Sequence, residues 1–213
     1  MNRKTVQWLA GCGASVPLLW LLAAVFGLWG QSLGANPVRE MLHFTGKTSL
    51  NLLMLTLLSS PLRTISGQLF WQYPRRQLGV FTFVYALLHF LVYAVLELDL
   101  DLGDLAKELT RRPYIIVGSA ALLGLVPLAA TSTDRMMRRL GRRWQQLHWL
   151  VYPIAILAVW HFFWQVKADV REPLGYAAAL ALLLGWRVWT RTHRNNQPGT
   201  QRQPSESSRS RAR

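Results

Sequence analysis

Residues 144–166 read WQQLHWLVYPIAILAVWHFFWQV, a stretch of 23 residues without a charged side chain. A helix needs about 20 mostly apolar residues to cross the hydrocarbon core of a bilayer. A transmembrane strand would alternate apolar and polar residues, and this stretch does not. Backbone groups in lipid must be paired within the segment itself, so the stretch is predicted to be a membrane-spanning α-helix.

Five further stretches have similar length and composition. They lie near residues 8–30, 42–62, 77–96, 113–133 and 173–189. The chain is therefore predicted to be an all-α membrane protein, a bundle of six transmembrane helices. Residues 1–190 are expected to form one transmembrane domain. Residues 191–213, rich in Arg, Ser, Gln and Pro, are expected to form a disordered basic cytoplasmic tail.

The charges lie in the gaps between these stretches and in the tail. The net charge is +14, with 24 Lys and Arg against 10 Asp and Glu residues. Most basic residues fall at the two ends of the chain and in the gaps after the second and fourth stretches, and most acids fall in the other gaps. The positive-inside rule therefore predicts that both termini are cytoplasmic. Because orientation in lipid explains the basic charge, no nucleic-acid partner is expected.

Several kinds of chemistry have no counterpart in the sequence. Cys12 is the single cysteine, so an internal disulfide is excluded and a Cys-ligated zinc or iron–sulfur site is not expected. No Walker loop, GxGxxG, GxSxG or HExxH motif occurs, and no internal repeat is evident. Any chemistry is expected within the bundle or on a partner protein.

Two histidines are predicted at similar depth in the outer half of the membrane. His89 lies about 18 Å along the third predicted helix and His161 about 25 Å along the fifth. Imidazoles from two helices can ligate one haem iron from opposite sides. The alternative is that each histidine hydrogen-bonds to a neighbouring helix. His43, at the outer edge of the second helix, is expected to be interfacial, and His193 to be solvated.

A second site is indicated nearer the cytoplasmic face. His148 precedes His161 by 13 residues, about 20 Å along a helix axis. The position 13 residues before His89 is Arg76, so His148 has no obvious histidine partner at its depth. Arg75 and Arg76 can pair with a haem propionate or a flavin phosphate. Anchoring at the cytoplasmic membrane surface is the alternative for this pair.

Three stretches of the sequence resemble a known family. They are HFTGKTSLNLLMLTLLSSPLR (43–63), RRQLGVFTFVYALLHFLVYAVLEL (75–98) and TSTDRMMRRLGRRWQQLHWLVYPIAILAVWHFFWQVK (131–167). They resemble the MsrQ (YedZ) family, the haem-binding membrane subunits of the periplasmic methionine sulfoxide reductase system MsrPQ. That family belongs to the ferric-reductase-like transmembrane group, which is built as six-helix bundles.

The resemblance implies a specific function for the chain. The cofactors would be haem b and FMN, with His89, His148 and His161 as haem-iron ligands and Arg75 and Arg76 binding the FMN phosphate or a haem propionate. The chain would be a multi-pass protein of the bacterial inner membrane. It would pass electrons from the quinone pool or a cytosolic flavin reductase to the molybdopterin subunit MsrP, which reduces methionine sulfoxide in oxidised periplasmic proteins. It would therefore be an electron-transfer subunit and not the catalytic one.

Two other functions fit parts of the pattern. A metalloreductase-type transmembrane cytochrome b of the same group usually carries a fused flavin and nicotinamide domain, and no motif of such a domain occurs in this sequence. A proton-coupled transporter can use membrane histidines as a relay, and it would be colourless and independent of iron.

Overall fold

Helices form the regular structure of the protein. The computed structural model describes residues 2–30, 33–166 and 169–195, and these ranges contain no β-strand, as the predicted all-α class requires. Their α-helices are α1 (Arg3–Val25), α2 (Pro37–Ser66), α3 (Arg75–Val92), α4 (Leu102–Arg111), α5 (Pro113–Ala130), α6 (Asp134–Leu140), α7 (Arg142–Leu147), α8 (Val151–Gln165) and α9 (Arg171–Asn195). Short 3₁₀ turns cover Leu28–Gly30, Leu69–Gln72 and His148–Leu150, and a π-helical turn, Tyr93–Glu97, continues α3.

Local signals in the sequence set the ends of α2. The Asn36 side chain accepts a hydrogen bond from the Arg39 N–H at 3.1 Å, and Pro37 occupies the first turn. At the other end Gly67 has φ +69°, a left-handed conformation that glycine adopts without steric cost, and its N–H donates to the Arg63 carbonyl. With these caps, α2 extends beyond both ends of the apolar stretch near 42–62 from which a helix was predicted.

The segment predicted as one helix over 144–166 is interrupted near its start. The 3₁₀ turn His148–Leu150 separates α7 from α8. Pro153 follows closely, and it has no N–H to donate to the carbonyl of Trp149 four residues earlier. A tighter turn at this point accommodates the missing bond. The angle between the two histidines of this segment therefore departs from that of an ideal helix.

Four of the described helical segments are long and apolar enough to cross a membrane. They are Arg3–Val25, Leu69–Glu97, Pro113–Ala130 and Arg142–Gln165, and they match the first, third, fourth and fifth predicted stretches. α2 and α9 cover the other two stretches and have 30 and 25 residues. Both contain charged residues, including Lys47 and Arg187, and α2 is rich in Ser and Thr, which lowers their mean hydropathy. The described helices thus give four candidate spans where the sequence predicts six.

Two helix pairs build the core of the bundle. α2 packs along α3 (the first helix pair), and α5 packs along α8 (the second helix pair), with α9 against α8 and α2. Buried apolar side chains of α2, α5, α8 and α9 form one cluster: Leu50, Leu53, Leu57, Ala121, Leu125, Leu128, Val151, Ile154, Ala155, Val159 and Leu180. α1 covers α3, where the buried Tyr85 hydroxyl donates to the Ala14 carbonyl at 2.8 Å.

The surface and the interior have the polarity expected in lipid. Large apolar side chains point outward, with Leu123 69% and Leu182 75% exposed. Hydroxyl groups lie inside, where Thr45 and Thr82 are buried and donate to carbonyls of their own helices. Lipid tails are as apolar as leucine, so close packing and internal hydrogen bonds hold such a bundle together.

The predicted domain boundary at 190/191 falls inside α9, which continues to Asn195. The remainder of the predicted disordered tail, residues 196–213, lies outside the described residues.

Candidate functional site

His89 and His161 face each other across the bundle. His89 lies on α3 in the first helix pair, and His161 lies on α8 in the second. Their ring centres are 6.3 Å apart, and the ring planes make an angle of 80°. The structure thus brings together the two histidines that were predicted at similar depth.

A backbone carbonyl fixes the orientation of each of these rings. Nδ1 of His89 lies 2.9 Å from the carbonyl oxygen of Leu42 on α2, and Nδ1 of His161 lies 2.7 Å from that of Tyr114 on α5. A carbonyl can only accept, so Nδ1 carries the proton in both rings and Nε2 keeps its lone pair. Metal-binding histidines commonly use this arrangement, in which the second ring nitrogen is held by an acceptor.

Two glycines allow these close approaches. A Cβ placed on Gly46 of α2 would lie 3.1 Å from Nδ1 and Cε1 of His89. A Cβ on Gly118 of α5 would lie 2.8 Å from the same atoms of His161. Each glycine stands one helical turn after the residue whose carbonyl holds the ring. A bare backbone is therefore needed at both positions for the ring to reach its carbonyl.

The spacing of the two rings suits a single iron between them. A metal–imidazole bond is about 2 Å and the ring centre lies about 1 Å beyond the nitrogen, so two axial imidazoles have ring centres about 6 Å apart. Among the described residues, no three His, Cys, Asp or Glu side chains lie close enough together to hold a metal ion. Two imidazoles alone would not complete the coordination of iron, and a porphyrin would supply the remaining ligands. The residues present therefore fit a haem.

His148 lies in the 3₁₀ turn that precedes α8, at the opposite end of that helix from His161. Its Nδ1 is 3.0 Å from the Trp144 carbonyl, so Nδ1 again carries the proton. Its ring stacks on the Trp144 indole with centres 3.9 Å apart. The indole Nε1–H donates to the Thr131 carbonyl at 3.0 Å, which ties Trp144 to the end of α5. His148 is thus a positioned imidazole, apart from the facing pair.

The two arginines at the start of α3 have different surroundings. Arg76 forms an ion pair with Asp134 at the start of α6. The hydrogen bond from Arg76, together with its charge, holds the pKa of Asp134 below its usual range. Arg75 donates to the Ser60 hydroxyl at 3.5 Å. The structure therefore places Arg76 at a carboxylate and Arg75 against α2.

The remaining histidines make no ring contact with the facing pair among the described residues, although His43 follows Leu42, whose carbonyl holds His89, and lies close enough for its charge to act on that ring. His43 is in the first turns of α2, near the ion pair of Lys47 with Glu172, whose charged atoms are 2.7 Å apart. His193 contacts the Trp189 ring near the end of α9, with ring centres 4.8 Å apart.

Comparison with known proteins identifies the family of the chain. The family described as "Ferric reductase like transmembrane component" matches residues 45–159. Three relatives carry the name "Protein-methionine-sulfoxide reductase heme-binding subunit MsrQ". One, from Xanthomonas axonopodis pv. citri (strain 306), is 47% identical over 87% of this chain and 85% of its own length. Another, from Xanthomonas campestris pv. campestris (strain B100), is 53% identical over 76% of this chain and 74% of its own. The third, from Azospira oryzae (strain ATCC BAA-33 / DSM 13638 / PS), is 43% identical over 95% of this chain and 89% of its own.

The chain belongs to the MsrQ family. The resemblance read from the sequence is therefore confirmed. The ferric-reductase-like family match begins within α2 and ends within α8, so it contains His89, His148 and the paired arginines and stops just before His161. No solved structure matches the chain.

The structure also shows a repeated arrangement in this MsrQ family member, although no repeat is evident in the sequence alone. Each facing histidine comes 47 residues after the residue whose carbonyl holds it. The number of residues that separates His89 from His161 also separates Gly46 from Gly118, and Arg76 from His148. The two segments share few identical residues, chiefly a glycine and, much later, the dipeptide His-Phe. A match this sparse does not stand out when the sequence is read alone.

Proposed function

We propose that this chain is a haem b electron-transfer subunit of the membrane. It passes electrons to a periplasmic molybdopterin methionine sulfoxide reductase of the MsrP type, for repair of oxidised periplasmic proteins. The observation that carries the proposal is the facing pair His89 and His161, with Nδ1 of each ring held by a carbonyl and ring centres 6.3 Å apart. The relatives that are named heme-binding subunits agree with it.

The proposed topology is a six-helix bundle in the bacterial inner membrane with both termini cytoplasmic. α2 and α9 complete the set of spans, although they are more polar than the other four. Their polar groups are partly satisfied within the bundle, since Tyr176 of α9 donates to the Asn51 side chain of α2 at 2.6 Å. Residues 1–190 are taken as the haem-binding domain and residues 191–213 as a basic cytoplasmic tail.

Within this topology His89 and His161 hold an outer haem near the periplasmic face. The bound haem supplies one-electron transfer chemistry. Leu42 and Tyr114 orient the two rings through their carbonyls, and the tautomer so fixed presents Nε2 to the iron. His148 is the proposed iron ligand of an inner site, with Arg75 and Arg76 binding a haem propionate or the phosphate of FMN. The proposal of FMN comes from the family resemblance.

The proposed partners follow from what the chain itself does not contain. No hydrolytic or nicotinamide-binding motif occurs in the sequence, so substrate chemistry is assigned to the partner subunit. The donor is the quinone pool or a cytosolic flavin reductase. Membrane lipid surrounds the bundle, and no nucleic acid takes part.

Optical spectroscopy of the detergent-purified full-length chain tests the proposal. Reduction with dithionite should shift the Soret band and give the α and β bands of a b-type cytochrome. His89→Ala and His161→Ala should each deplete the outer haem, whereas His193→Ala, which changes a histidine at the end of α9, should leave the spectrum intact.

A colourless protein after expression with adequate iron and haem supply would contradict the proposal and favour the proton-coupled transporter. Unchanged spectra in both His89→Ala and His161→Ala would contradict the ligand assignment. If the isolated chain reduced ferric chelates as fast as it passes electrons to its partner subunit, the result would instead favour a metalloreductase-type cytochrome b.

A further inference from the structure

A carboxylate on α4 receives hydrogen bonds from both sides of the facing pair. Glu108 lies on this short helix, which follows the π-helical turn of α3 and precedes α5. Its Oε2 accepts from the Tyr93 hydroxyl at 3.4 Å and from Nε of Arg112 at 2.7 Å. The Glu108 side chain is 18% exposed, whereas that of Arg112 is 50% exposed. One mostly buried carboxylate oxygen thus joins two separate parts of the chain.

The Tyr93 contact leads to the first helix pair. Tyr93 stands one helical turn after His89, and its N–H donates to the His89 carbonyl. The Tyr93 carbonyl in turn accepts from the Leu98 N–H at 3.2 Å, the five-residue spacing of a π-helical turn. A displacement of the Tyr93 side chain therefore acts on the turn of α3 that carries His89.

The Arg112 contact leads to the second helix pair. The Arg112 N–H donates to the Glu108 carbonyl at 2.8 Å, and the Arg112 carbonyl accepts from the Ile115 N–H at 2.9 Å, so this residue joins α4 directly to α5. Its Nη1 also donates to the Tyr114 hydroxyl at 3.5 Å. Tyr114 is the residue whose carbonyl holds Nδ1 of His161, and its own ring centre lies 5.9 Å from that of the imidazole. Glu108 therefore holds the first turn of α5, where His161 is oriented.

The backbone between α3 and α4 is held in an unfavourable conformation. Asp99 and Leu100 have φ of +48° and +60°, in the left-handed region that residues with a Cβ rarely adopt. Such a conformation persists where the surrounding contacts hold it in place. The hydrogen bond from Tyr93 to Glu108 ties α4 back to α3 after this turn. The position of Glu108 is therefore maintained against backbone strain.

The two carbonyls that hold the rings do not by themselves set the angle between them. Each carbonyl acts inside its own helix pair. The angle of 80° between the ring planes of His89 and His161 therefore depends on how one helix pair is placed against the other. Direct packing of α3 on α5 contributes to that placement. Glu108 adds a charged bridge between the same two elements, close to both rings along the chain.

We propose that Glu108 is a positioning residue of the haem site, which fixes the angle between the two facing imidazoles through Tyr93 on one side and Arg112 on the other. This proposal rests on the proposed haem-binding function. The splitting of the iron d orbitals in a low-spin ferric haem depends on the angle between the planes of its two axial imidazoles. Glu108 thus acts on the electronic structure of the iron through its neighbours.

EPR spectroscopy of the ferric full-length protein in detergent tests the proposal, because the g values report that angle. Glu108→Ala removes both side-chain contacts, so the signal that His89→Ala abolishes should shift in its largest g value and broaden, with most of the haem retained. Glu108→Gln keeps an oxygen that accepts from the same two donors, and its spectrum should stay close to that of the unmodified protein. Tyr93→Phe and Arg112→Ala each remove one side of the bridge and should each give part of the shift.

The matched control is Asp169→Ala. It removes an exposed carboxylate that precedes α9 and accepts from the Arg171 N–H at 3.0 Å. This variant should leave the g values unchanged. Thermal unfolding of every variant is measured alongside, because the loss of any ion pair can lower the unfolding temperature, whereas only a change in the imidazole planes moves the g values.

Unchanged g values in both Glu108→Ala and Tyr93→Phe would overturn the proposal, even with a lower unfolding temperature, and would leave the proposed function intact. An equal shift in Asp169→Ala would overturn it as well. If Glu108→Ala does not retain haem, Tyr93→Phe, which loses only a hydroxyl group, decides by the same criterion. Absence of any haem signal from the unmodified protein would instead contradict the proposed function itself.

Discussion

Gly118 and His161 are packed so closely that a methyl group on Gly118 would lie 2.8 Å from Nδ1 and Cε1 of the imidazole. That distance is shorter than a non-bonded carbon contact. Because Tyr114, one turn earlier on α5, holds the same ring by its carbonyl, the ring cannot move away without losing its orientation.

We therefore expect Gly118→Ala to displace the His161 ring and lower haem content. Overpacking of this kind typically costs about 1–3 kcal/mol of stability. Gly46→Ala should have the same effect on His89 but a smaller one, since its Cβ would be 3.1 Å from that ring. Haem per protein and thermal unfolding in detergent measure both effects.

The matched control is Gly79→Ala on α3, where the nearest atom would be the Thr56 Cγ2 at 4.0 Å. Alanine should be neutral or slightly stabilising there, because it is the better helix former. Equal haem content in Gly118→Ala and Gly79→Ala would show that the glycine does not govern the His161 ring.

Trp144 should tune the inner site through its stacking on His148. Removing the indole by Trp144→Ala takes away the ring 3.9 Å from the imidazole, whereas the backbone carbonyl that holds Nδ1 remains. We expect the spectral component that His148→Ala abolishes to shift and broaden in low-temperature optical and EPR spectra.

Trp144→Phe keeps a stacking ring and loses only the hydrogen bond to the Thr131 carbonyl, so its shift should be smaller. A Trp144→Ala spectrum identical to that of the unmodified protein would contradict a role for the stacking.

The ion pair of Arg76 with Asp134 should make stability depend on pH. Arg76 lowers the pKa of Asp134 in the folded protein, so the pair contributes stability above the ordinary carboxyl pKa of about 4. That contribution is lost as the pH falls through the lowered pKa. The carboxylate is exposed, so the effect should be small and should weaken with added salt.

Thermal unfolding of the unmodified protein and of Asp134→Asn should accordingly differ at neutral pH and converge in acid. Arg76→Gln is the companion variant, and the double variant should be no less stable than the weaker single one. If the difference in unfolding temperature grew as the pH fell, the ion pair of Arg76 with Asp134 would not be its cause.

Tyr85→Phe should loosen α1 from α3. The buried hydroxyl donates to the Ala14 carbonyl at 2.8 Å, and a hydrogen bond of this kind contributes about 1 kcal/mol. Proteolysis near α1 and the unfolding temperature in detergent report the change. Haem content should stay near that of the unmodified protein, because the lost hydroxyl is bonded to the Ala14 carbonyl and takes no part in the hydrogen bonds that hold the two facing histidines. An unaltered unfolding temperature would show that the hydrogen bond from Tyr85 to Ala14 does not stabilise the packing of α1 on α3.

The sequence was informative about depth and uninformative about contacts between helices. Counting residues along predicted helices placed His89 and His161 at similar depth, because helical rise is nearly constant. The same counting could not show that Leu42 and Tyr114 hold the rings, since those contacts depend on how neighbouring helices pack. The 3₁₀ turn at His148–Leu150 was likewise hidden in an uninterrupted apolar run.

Charge patterning had a similar limit. It placed Arg75 and Arg76 together near the cytoplasmic face and gave both the same candidate partner, a haem propionate or a flavin phosphate. Their partners separate them: Arg76 meets Asp134 of α6, and Arg75 meets Ser60 together with Arg187. Adjacent residues at a helix start point about 100° apart, so neighbours in sequence reach different elements. Short helices such as α4 and α6 were absent from the prediction because they are too polar to register as spans.

The carbonyl contacts that orient the two facing imidazoles each stay inside a single helix pair, α2 with α3 and α5 with α8. Each half of the molecule thus prepares its own axial ligand without help from the other. A haem iron bound by both imidazoles would therefore cross-link the two helix pairs at a point where the orientation of each ligand is already set.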